Sequence, residues 1–307
     1  MYKNVKPVFF KALSGIHAGT GSDLGLVDLP IQRERHSGLP KIESSGVKGC
    51  IREEFEQIAD LPADFVRVAF GPEDDGDKHA GSIAFTDARL LLFPVRSAKG
   101  VFAYATCPYI LNRLREDFAF AGITTEYAAA DEKAQVSSDK LLILKSGKVV
   151  LEEYTIEAAR TEQAAKLAES IAIWLRLDDA RYVKDNLIIL SDDDFSDFAR
   201  NNTEIITRVK IDNKTGTVAK GALFTEELLP AETVMYALIM TAKIFISEEA
   251  RGKSATVRAA GADEGKYLLD VIAEKMPKYI QIGGDATIGK GLCRVSMEGQ
   301  QYETSRN

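Results

Sequence analysis

The sequence predicts an α+β fold, in which strands and helices mix along one chain. Strand-like segments of alternating or continuous apolar residues recur from Val5 to Val295. Amphipathic segments with helical spacing lie between them, such as the one that carries Val47, Ile51 and Phe55. The strands and helices do not alternate in the βαβ run that a parallel sheet requires. With 307 residues, 45% of them hydrophobic, the chain can bury a sizeable core.

Composition restricts the class of protein. A net charge of -7 argues against a free-standing nucleic-acid binder, so any phosphate contacts must come from a local basic patch. Cys50, Cys107 and Cys293 are scattered, which makes a disulfide framework or a zinc site an unsuitable interpretation and fits a reduced compartment. The N-terminus has no apolar leader and no run approaches membrane-spanning length. We therefore expect a cytoplasmic protein without a membrane partner.

The N-terminal half predicts a core strand from Val5 to Ile16, followed by a long polar loop over residues 17–41. Loops of that length are usually functional or disordered. A helix follows, with Ser44 or Ser45 as its N-terminal cap. The other elements predicted in this half are strands at 82–95 and 101–106 and a helix that starts at Pro108.

The C-terminal half begins with an Ala-, Glu- and Ser-rich stretch at 121–140, which we interpret as a variable insertion. A basic hairpin is predicted at 207–224, around the turn Asp212 to Gly216. Its lysines could lie along a nucleic-acid strand, although the segment taken by itself is better explained as an ordinary surface hairpin. The remaining predicted elements are a hairpin at 141–150, a helix at 161–177 with Trp174 in the core, a strand at 186–190, a helix capped by Ser191, a strand at 234–239 and a helix at 266–275.

The loop from His17 and the helix after it suggest a function. The loop is glycine-spaced and carries one central acid, Asp28. Lys48 and Arg52 lie one turn apart on the helix, beside Gly46 and Gly49, and could grip successive phosphates. Equally, the glycines could pack on a neighbouring strand while the cations face solvent. The first interpretation indicates handling of an RNA backbone with one acid at hand.

The segment from Tyr279 to Val295 contains a second glycine-rich loop. Its spacing approaches a P-loop, but Gly291 stands where Ser or Thr is required, and a strand-like segment follows instead of a helix. A nucleoside-triphosphate site is therefore rejected. The loop amides and Lys290 could instead cradle a phosphodiester backbone.

Together these segments resemble a known family, the RAMP backbone subunits of type III CRISPR effector complexes. The similarity is greatest to the repeated backbone nuclease of the type III-B Cmr complex. The segments that carry it are His17 to Gly19, VDLPIQRERHSGLP at 27–40, VKGCIR at 47–52, FTDARLLLFPVRSAKGVFAYATCP at 85–108, the hairpin with LFTEELLP, and the terminal IGGDATIGKG. Gly46 departs from the family, which usually has a serine there.

The resemblance implies a single RAMP domain over 1–307, with a modified ferredoxin-like (RRM-type) palm and long inserted loops. It makes 17–41 the active-site loop, leaves 121–140 as a variable insertion, and makes 207–230 a β-hairpin thumb. It further implies that copies of the chain stack as a filament along a CRISPR RNA, together with other Cmr subunits. Complementary target RNA would be cleaved at regular intervals in antiviral defence, with a divalent cation, Mg²⁺, as cofactor.

Residue roles also follow from the resemblance. Asp28 matches the loop aspartate implicated in cutting, and it could bind the metal through a water. His17, Glu226 and Glu227 lie in matched segments that approach the cut site. The residues implied to bind RNA are Lys48, Arg52, Gly283, Gly284, Gly289, Lys290, Lys210 and Lys214.

Chemistry limits what Asp28 can do. RNA carries its own nucleophile, the 2'-hydroxyl, which an enzyme must align with the leaving oxygen. An ordinary aspartate, with a pKa of about 4, is a weak base at neutral pH, so holding a hydrated cation asks less of it. His17 could relay a proton. Two alternatives stay open, a non-catalytic architectural subunit and a metabolic enzyme that binds a phosphorylated small molecule.

Overall fold

The computed structural model describes residues 2–22, 25–73, 79–125, 133–143, 147–211 and 216–300. For Lys210 and residues 218–222 it describes the backbone alone. Within these ranges the chain forms one large sheet of twelve strands, helices that cover it, and a separate two-stranded hairpin. The predicted α+β class is confirmed.

The N-terminal part begins with the strand at the centre of the molecule. In chain order the elements are β1 (Asn4–Ala12), β2 (Lys41–Ile42), α1 (Ser44–Glu56), α2 (Phe65–Phe70), β3 (Ile83–Phe85), β4 (Ala88–Arg96), β5 (Phe102–Thr106), α3 (Pro108–Phe120) and β6 (Ala134–Val136).

The remaining elements follow in the same way. They are β7 (Lys148–Leu151), β8 (Tyr154–Arg160), α4 (Glu162–Trp174), α5 (Arg181–Asn186), β9 (Leu187–Ile189), α6 (Asp192–Asn201), β10 (Glu204–Ile211), β11 (Val218–Leu228), β12 (Val234–Thr241), α7 (Glu248–Lys253), α8 (Ala255–Ala260), α9 (Glu264–Lys275), β13 (Tyr279–Gln281) and β14 (Leu292–Met297). Single 3-10 turns lie at Asp139–Leu141 and Ala286–Ile288. Among the described helices, none is long and apolar enough to cross a membrane.

The large sheet has the order β13-β14-β1-β12-β4-β5-β9-β6-β8-β7, with β2 added on β4 and β3 on β12. Most neighbours are antiparallel, while β5 with β9 and β6 with β8 are parallel. β1 pairs with β12 from Asn4 opposite Thr241 to Lys11 opposite Val234. Val8 to Phe10 are buried on both faces of the sheet, which explains why this strand is apolar almost without interruption.

The helices bury the faces that the spacing predicts. Val47, Ile51 and Phe55 of α1 are fully buried, as expected for residues four apart on one helical face. Trp174, at the end of α4, stacks on Phe9 with ring centroids 6.0 Å apart, so its predicted place in the core is confirmed.

Tertiary contacts overturn the predicted cap of α1. Glu43, not Ser44 or Ser45, occupies the cap position, and its side chain makes no capping bond. Asp87 instead accepts the amide of Ser44 at 2.9 Å and pairs with Lys41. Asp87 lies between β3 and β4, where the single strand predicted at 82–95 is interrupted. Its carboxylate therefore caps α1 from a position distant in sequence.

The predicted hairpin at 141–150 has a turn that lies partly outside the described residues. The amide of Ile143 donates across that turn to the carbonyl of Lys148 at 2.8 Å, but Leu141 belongs to a 3-10 turn and not to a strand. The strand partner of β7 is β8, through the turn at Glu152 and Glu153. Glu152 adopts a positive φ of 50° there, and a left-handed turn without glycine leaves no signal in the sequence.

The hairpin of β10 and β11 forms a sheet of its own, which confirms the second predicted hairpin. Its register runs from Glu204 opposite Leu228 to Val209 opposite Leu223. Because directly opposite residues share a face, one face carries exposed apolar side chains, and these are Ile205, Val209, Ile211 and Leu223. Residues 212–215 of the predicted turn lie outside the described residues.

Candidate functional site

The candidate site is built along the edge of β11 that faces away from β10. The amide of Leu29 donates to the carbonyl of Thr225 at 3.0 Å, and the amide of Glu227 donates to the carbonyl of Leu29 at 3.0 Å. Ile16 and Leu229 exchange two backbone hydrogen bonds of 2.9 Å further along. The loop after β1 therefore leaves this edge and returns to it, which collects loop residues beside the hairpin strand.

Asp28 is exposed, and its carboxylate is held by Thr225. Oδ2 accepts the Thr225 amide at 2.7 Å and the Thr225 hydroxyl at 2.8 Å. The amide of Asp28 in turn donates to Oγ1 of Thr225 at 3.0 Å. The backbone hydrogen bond of Thr225, followed by its hydroxyl, lowers the pKa of Asp28. The carboxylate is thus a fixed anion and a poor proton acceptor.

His17 lies on the same edge of β11. Its Nδ1 is 2.8 Å from the carbonyl oxygen of Glu227. Since a carbonyl can only accept, Nδ1 carries the proton of the neutral ring, and Nε2 keeps its lone pair. A Cβ at position 19 would lie 2.6 Å from Nε2, so the backbone at Gly19 packs closely against that edge of the ring and leaves no room for a larger residue. His17 and Asp28 contact positions two residues apart on one strand, a separation of about 6.8 Å.

Glu227 is buried, and its carboxylate is committed to holding the loop. Oε2 accepts the amide of Ile31 at 3.0 Å, while Oε1 accepts Arg33 Nη2 at 2.5 Å and the Thr203 hydroxyl at 2.6 Å. Burial alone would raise the pKa of Glu227, but the hydrogen bonds from Thr203, Ile31 and Arg33 outweigh burial and lower it.

Glu226 is also buried, with its side chain on the opposite face of β11. Its Oε2 accepts Arg208 Nε at 2.5 Å, and its Oε1 lies 3.6 Å from His17 Nδ1. Arg208 Nη2 also pairs with Asp285 at 2.5 Å, so one guanidinium joins the hairpin to the terminal glycine loop. Both predicted glutamates therefore bind protein groups, and Asp28 is the acid of the three that is exposed.

The glycine loop between β13 and β14 packs against His17. Gly283 has a φ of +84°, and a Cβ there would collide with the carbonyl oxygen of His17. The amide of Gly284 donates to that same oxygen at 2.9 Å, and the amides of Gly289 and Lys290 bond to Ala286 and Asp285 within the loop. These three amides bond within the protein, and that the loop binds an RNA backbone stays a prediction. Within the described ranges the Lys290 ammonium has no partner.

The two cations of α1 differ. Lys48 is half-buried and its ammonium has no partner among the described residues. Burial, followed by the charge of Arg52, lowers the pKa of Lys48. Arg52 is engaged, because it bonds Glu56 at 2.6 Å, the Gly71 carbonyl at 3.0 Å and Glu73 at 3.2 Å.

The glycines of α1 do not support close packing. A Cβ at Gly49 would meet no atom within 4 Å, and one at Gly46 would make an ordinary contact of 3.6 Å with Ile42. α1 lies against β13, which leads into the glycine loop. Of the remaining predicted RNA contacts, Lys214 lies outside the described residues, and Lys210 is placed in β10 by its backbone alone.

Sequence reasoning missed the residues that connect these parts. Thr225, Arg33, Arg208 and Asp285 position the predicted residues, but each partner is distant in sequence; Asp28 and Thr225 are 197 positions apart. Pairings over such distances carry no periodic or spacing signal in one sequence. A polar residue in the strand of a predicted basic hairpin was the available hint at Thr225.

The donor set fits a divalent cation only in part. Among the described residues no group of three or more His, Cys, Asp or Glu could enclose a metal ion. Asp28 offers one exposed carboxylate, with both hydrogen bonds from Thr225 ending on Oδ2. Mg²⁺ commonly uses one or two carboxylates and completes its shell with water and substrate phosphates. A cation shared with RNA therefore fits, whereas an all-protein cage does not.

Comparison with known proteins identifies the family. The model of the RAMP superfamily matches residues 9–294. The chain belongs to the RAMP superfamily. The resemblance to RAMP proteins drawn from the sequence motifs is thereby confirmed.

Within that superfamily the chain is 34% identical, over 93% of each sequence, to the CRISPR system Cmr endoribonuclease Cmr4 of Pyrococcus furiosus. It is 23% identical, over 96% of each, to the CMR subunit Cmr4 of Saccharolobus solfataricus. The crystal structure of oligomeric Cmr4 from Pyrococcus furiosus superposes with a TM-score of 0.70 at 29% identity, covering 96% of this chain and 98% of that one.

A second structural match confirms the fold alone. A chain in the cryo-EM structure of the type III-B Cmr-beta complex bound to cognate target RNA superposes with a TM-score of 0.71 at 20% identity, covering 96% of this chain and 98% of that one. A chain that differs in four of five aligned residues thus has the same overall fold.

Proposed function

We propose that this chain is a backbone subunit of a type III-B CRISPR effector complex. Several copies bind one CRISPR RNA together with other Cmr subunits, and each cleaves complementary target RNA. The observation that carries the proposal is the 34% identity, over 93% of both chains, to a relative named as a Cmr endoribonuclease. The geometry supports it, because the exposed carboxylate of Asp28 and the imidazole of His17 lie along one strand edge.

The architecture divides in the way that this function requires. The twelve-stranded sheet with its helices serves as the palm, of ferredoxin-like type, and the β10–β11 hairpin serves as the thumb. The hairpin is suited to insertion because it forms a sheet separate from the large one and exposes apolar side chains. Its base is fixed to the loop of Asp28, so a thumb placed in a guide–target duplex brings the acid to the RNA.

RNA binding rests on the cations of α1 and the glycine loop. Lys48 is partly desolvated and has no partner in the described chain, which is the environment in which a phosphate stabilises an ammonium most. Lys290 is likewise free to contact the backbone of the guide. Arg52 contributes by holding the loop after α2 against α1 through Gly71 and Glu73.

The chemistry is an attack of the 2'-hydroxyl on its neighbouring phosphorus. His17 Nε2 takes the hydroxyl proton, the new O–P bond forms a 2',3'-cyclic phosphate, and the P–O5' bond breaks, with water protonating the leaving oxygen. Asp28 orients the reacting ribose-phosphate and would hold Mg²⁺ directly or through a water. When bound, the cation would supply positive charge to the phosphate oxygens.

The test is reconstitution with guide RNA, target RNA and the partner subunits. We expect Asp28→Asn to abolish cleavage and to leave guide and target affinity within about twofold. Affinity should persist because Asp28 is exposed and its described side-chain hydrogen bonds are to Thr225. EDTA should abolish cleavage by the wild type, and added Mg²⁺ should restore it. Normal cutting by an assembled Asp28→Asn complex would contradict the catalytic role of Asp28, whereas no cutting by the wild-type complex with Mg²⁺ would make the chain an architectural RNA-binding subunit.

A further inference from the structure

We propose that Thr225 is the positioning residue of the cleavage reaction: its hydroxyl sets the orientation of the Asp28 carboxylate and so couples that acid to the thumb strand. The inference rests on the proposed function, in which Asp28 acts at the cut site. Three hydrogen bonds carry it. Two run from Thr225 to Oδ2, at 2.7 and 2.8 Å, and one runs from the Asp28 amide to Oγ1, at 3.0 Å.

The chemistry of this contact is specific to a hydroxyl. Oγ1 donates to the carboxylate and accepts from the amide at the same time, which uses both capacities of one hydroxyl group. Two donors on one carboxylate oxygen also fix the rotation of the carboxyl group, since charge-assisted hydrogen bonds are short and directional. Valine has the shape of threonine without this chemistry, and serine has the chemistry without the methyl group.

The path of the loop does not depend on the hydroxyl. Leu29 is bonded to Thr225 and Glu227 through backbone atoms, and the amide of Ile31 donates to the Glu227 carboxylate at 3.0 Å. These bonds hold residues 29–31 against β11 when the hydroxyl is removed. A change at Thr225 therefore alters the orientation of the carboxylate and leaves the loop in place.

Thr225 also sits where the thumb can act on it. It pairs with Thr207 of β10, in the base of the hairpin, and the strand runs from there toward the tip. A displacement of β11 when RNA engages the thumb moves Thr225 and Asp28 together.

The experiment compares Thr225→Val with Thr225→Ser in the assembled complex. We expect Thr225→Val to slow single-turnover cleavage at saturating target RNA by about tenfold to a hundredfold, the loss typical of one hydrogen bond to a charged group, with target affinity within about twofold. Thr225→Ser should cut within about threefold of the wild type. A role in folding alone would instead lower the thermal midpoint of both variants and leave their cutting rates equal.

The outcomes separate this inference from the proposed function. If Asp28→Asn is inactive and Thr225→Val cuts like the wild type, the function stands and the positioning role is overturned. A faster Thr225→Val enzyme overturns it as well, because Thr225 would then hold the acid back. If Asp28→Asn cuts normally, the proposed catalytic acid fails first. Should Thr225→Val assemble poorly, Thr225→Ala gives the same comparison with Thr225→Ser.

Discussion

Asp28 and Glu227 both lie at the outer edge of β11, Asp28 bound to the strand and Glu227 part of it, yet their surroundings give them different roles. Asp28 is exposed and keeps one oxygen outside the bonds from Thr225, while Glu227 is 6% exposed and bonds three protein groups. A carboxylate that contacts substrate needs accessible oxygens, whereas one that holds a loop needs oxygens that accept hydrogen bonds from that loop. Burial and hydrogen-bond partners thus distinguish a carboxylate that can contact substrate from one that anchors the loop, which residue type alone does not.

The lowered pKa of Glu227 predicts how stability depends on pH. A carboxyl group with a depressed folded-state pKa adds stability that is complete above its ordinary value of 4.5 and is lost as pH falls through the lowered value. We expect Glu227→Gln to lower the free energy of unfolding by about 1–3 kcal/mol at neutral pH, with the deficit shrinking in acid. Urea titrations of the wild type and Glu227→Gln, from neutral pH to below pH 4.5, measure this difference in the free energy of unfolding. A difference that stays constant with pH would contradict the prediction.

Substitutions of Lys48 and Arg52 should have different effects on RNA binding. Lys48→Ala should weaken guide binding and reduce the slope of log affinity against log salt by about 0.7–1, because one phosphate contact is lost. Arg52→Ala should lower the thermal midpoint with little change in slope, since its guanidinium bonds Glu56 and Gly71. Lys48→Arg is the matched control and should retain the slope. Equal slope changes in both alanine variants would count against this division.

At the scale of elements, hydrophobic periodicity predicted correctly those strands and helices whose burial is determined by neighbouring residues in the sequence. The apolar strand β1, the buried face of α1 and the hairpin of β10 and β11 all follow from periodicity. The cap of α1 did not, because the carboxylate that binds its first turn is Asp87, on another strand. In the site the same limit applies, since Asp28 could be singled out but its partner Thr225 could not.

The separation of the hairpin from the large sheet makes it removable. Replacing residues 209–223 by Asn-Gly keeps the base pairs from Glu204 to Arg208 and the strand that holds Asp28. We expect a thermal midpoint within a few degrees of the wild type, measured by circular dichroism, because the large sheet loses no strand. Guide binding should persist while cutting at regular intervals is lost. Regular cutting by this variant would show that the hairpin is not the thumb.

At the scale of the whole molecule, charge explains why RNA should organise the assembly. The chain carries 46 acidic and 39 basic residues, so its copies repel one another at low salt. Under the proposed function, RNA phosphates neutralise Lys48 and Lys290 and so draw several copies onto one strand. The oligomeric Cmr4 crystal structure shows that a relative does associate with itself.

Light scattering can test this dependence on RNA. The mass of complexes formed with guide RNAs of increasing length should rise in steps of one subunit, because each copy occupies a fixed length of backbone. The Lys48→Ala protein should need more RNA or lower salt to reach the same mass. A single copy per RNA at every length would rule out stacking along the guide.

The two anchoring positions on β11 also determine where related chains can differ in length. Thr225 and Glu227 face the same edge because they are two residues apart, and a single inserted residue between them would turn the second one away. Insertions and deletions are therefore excluded from the base of the hairpin. Beyond Arg208 and Phe224 the described parts of both strands contact neither the loop nor the sheet through backbone pairing, so two residues added to each strand lengthen the hairpin by about 6.8 Å. The reach of the hairpin can thus change while the position of Asp28 stays constant.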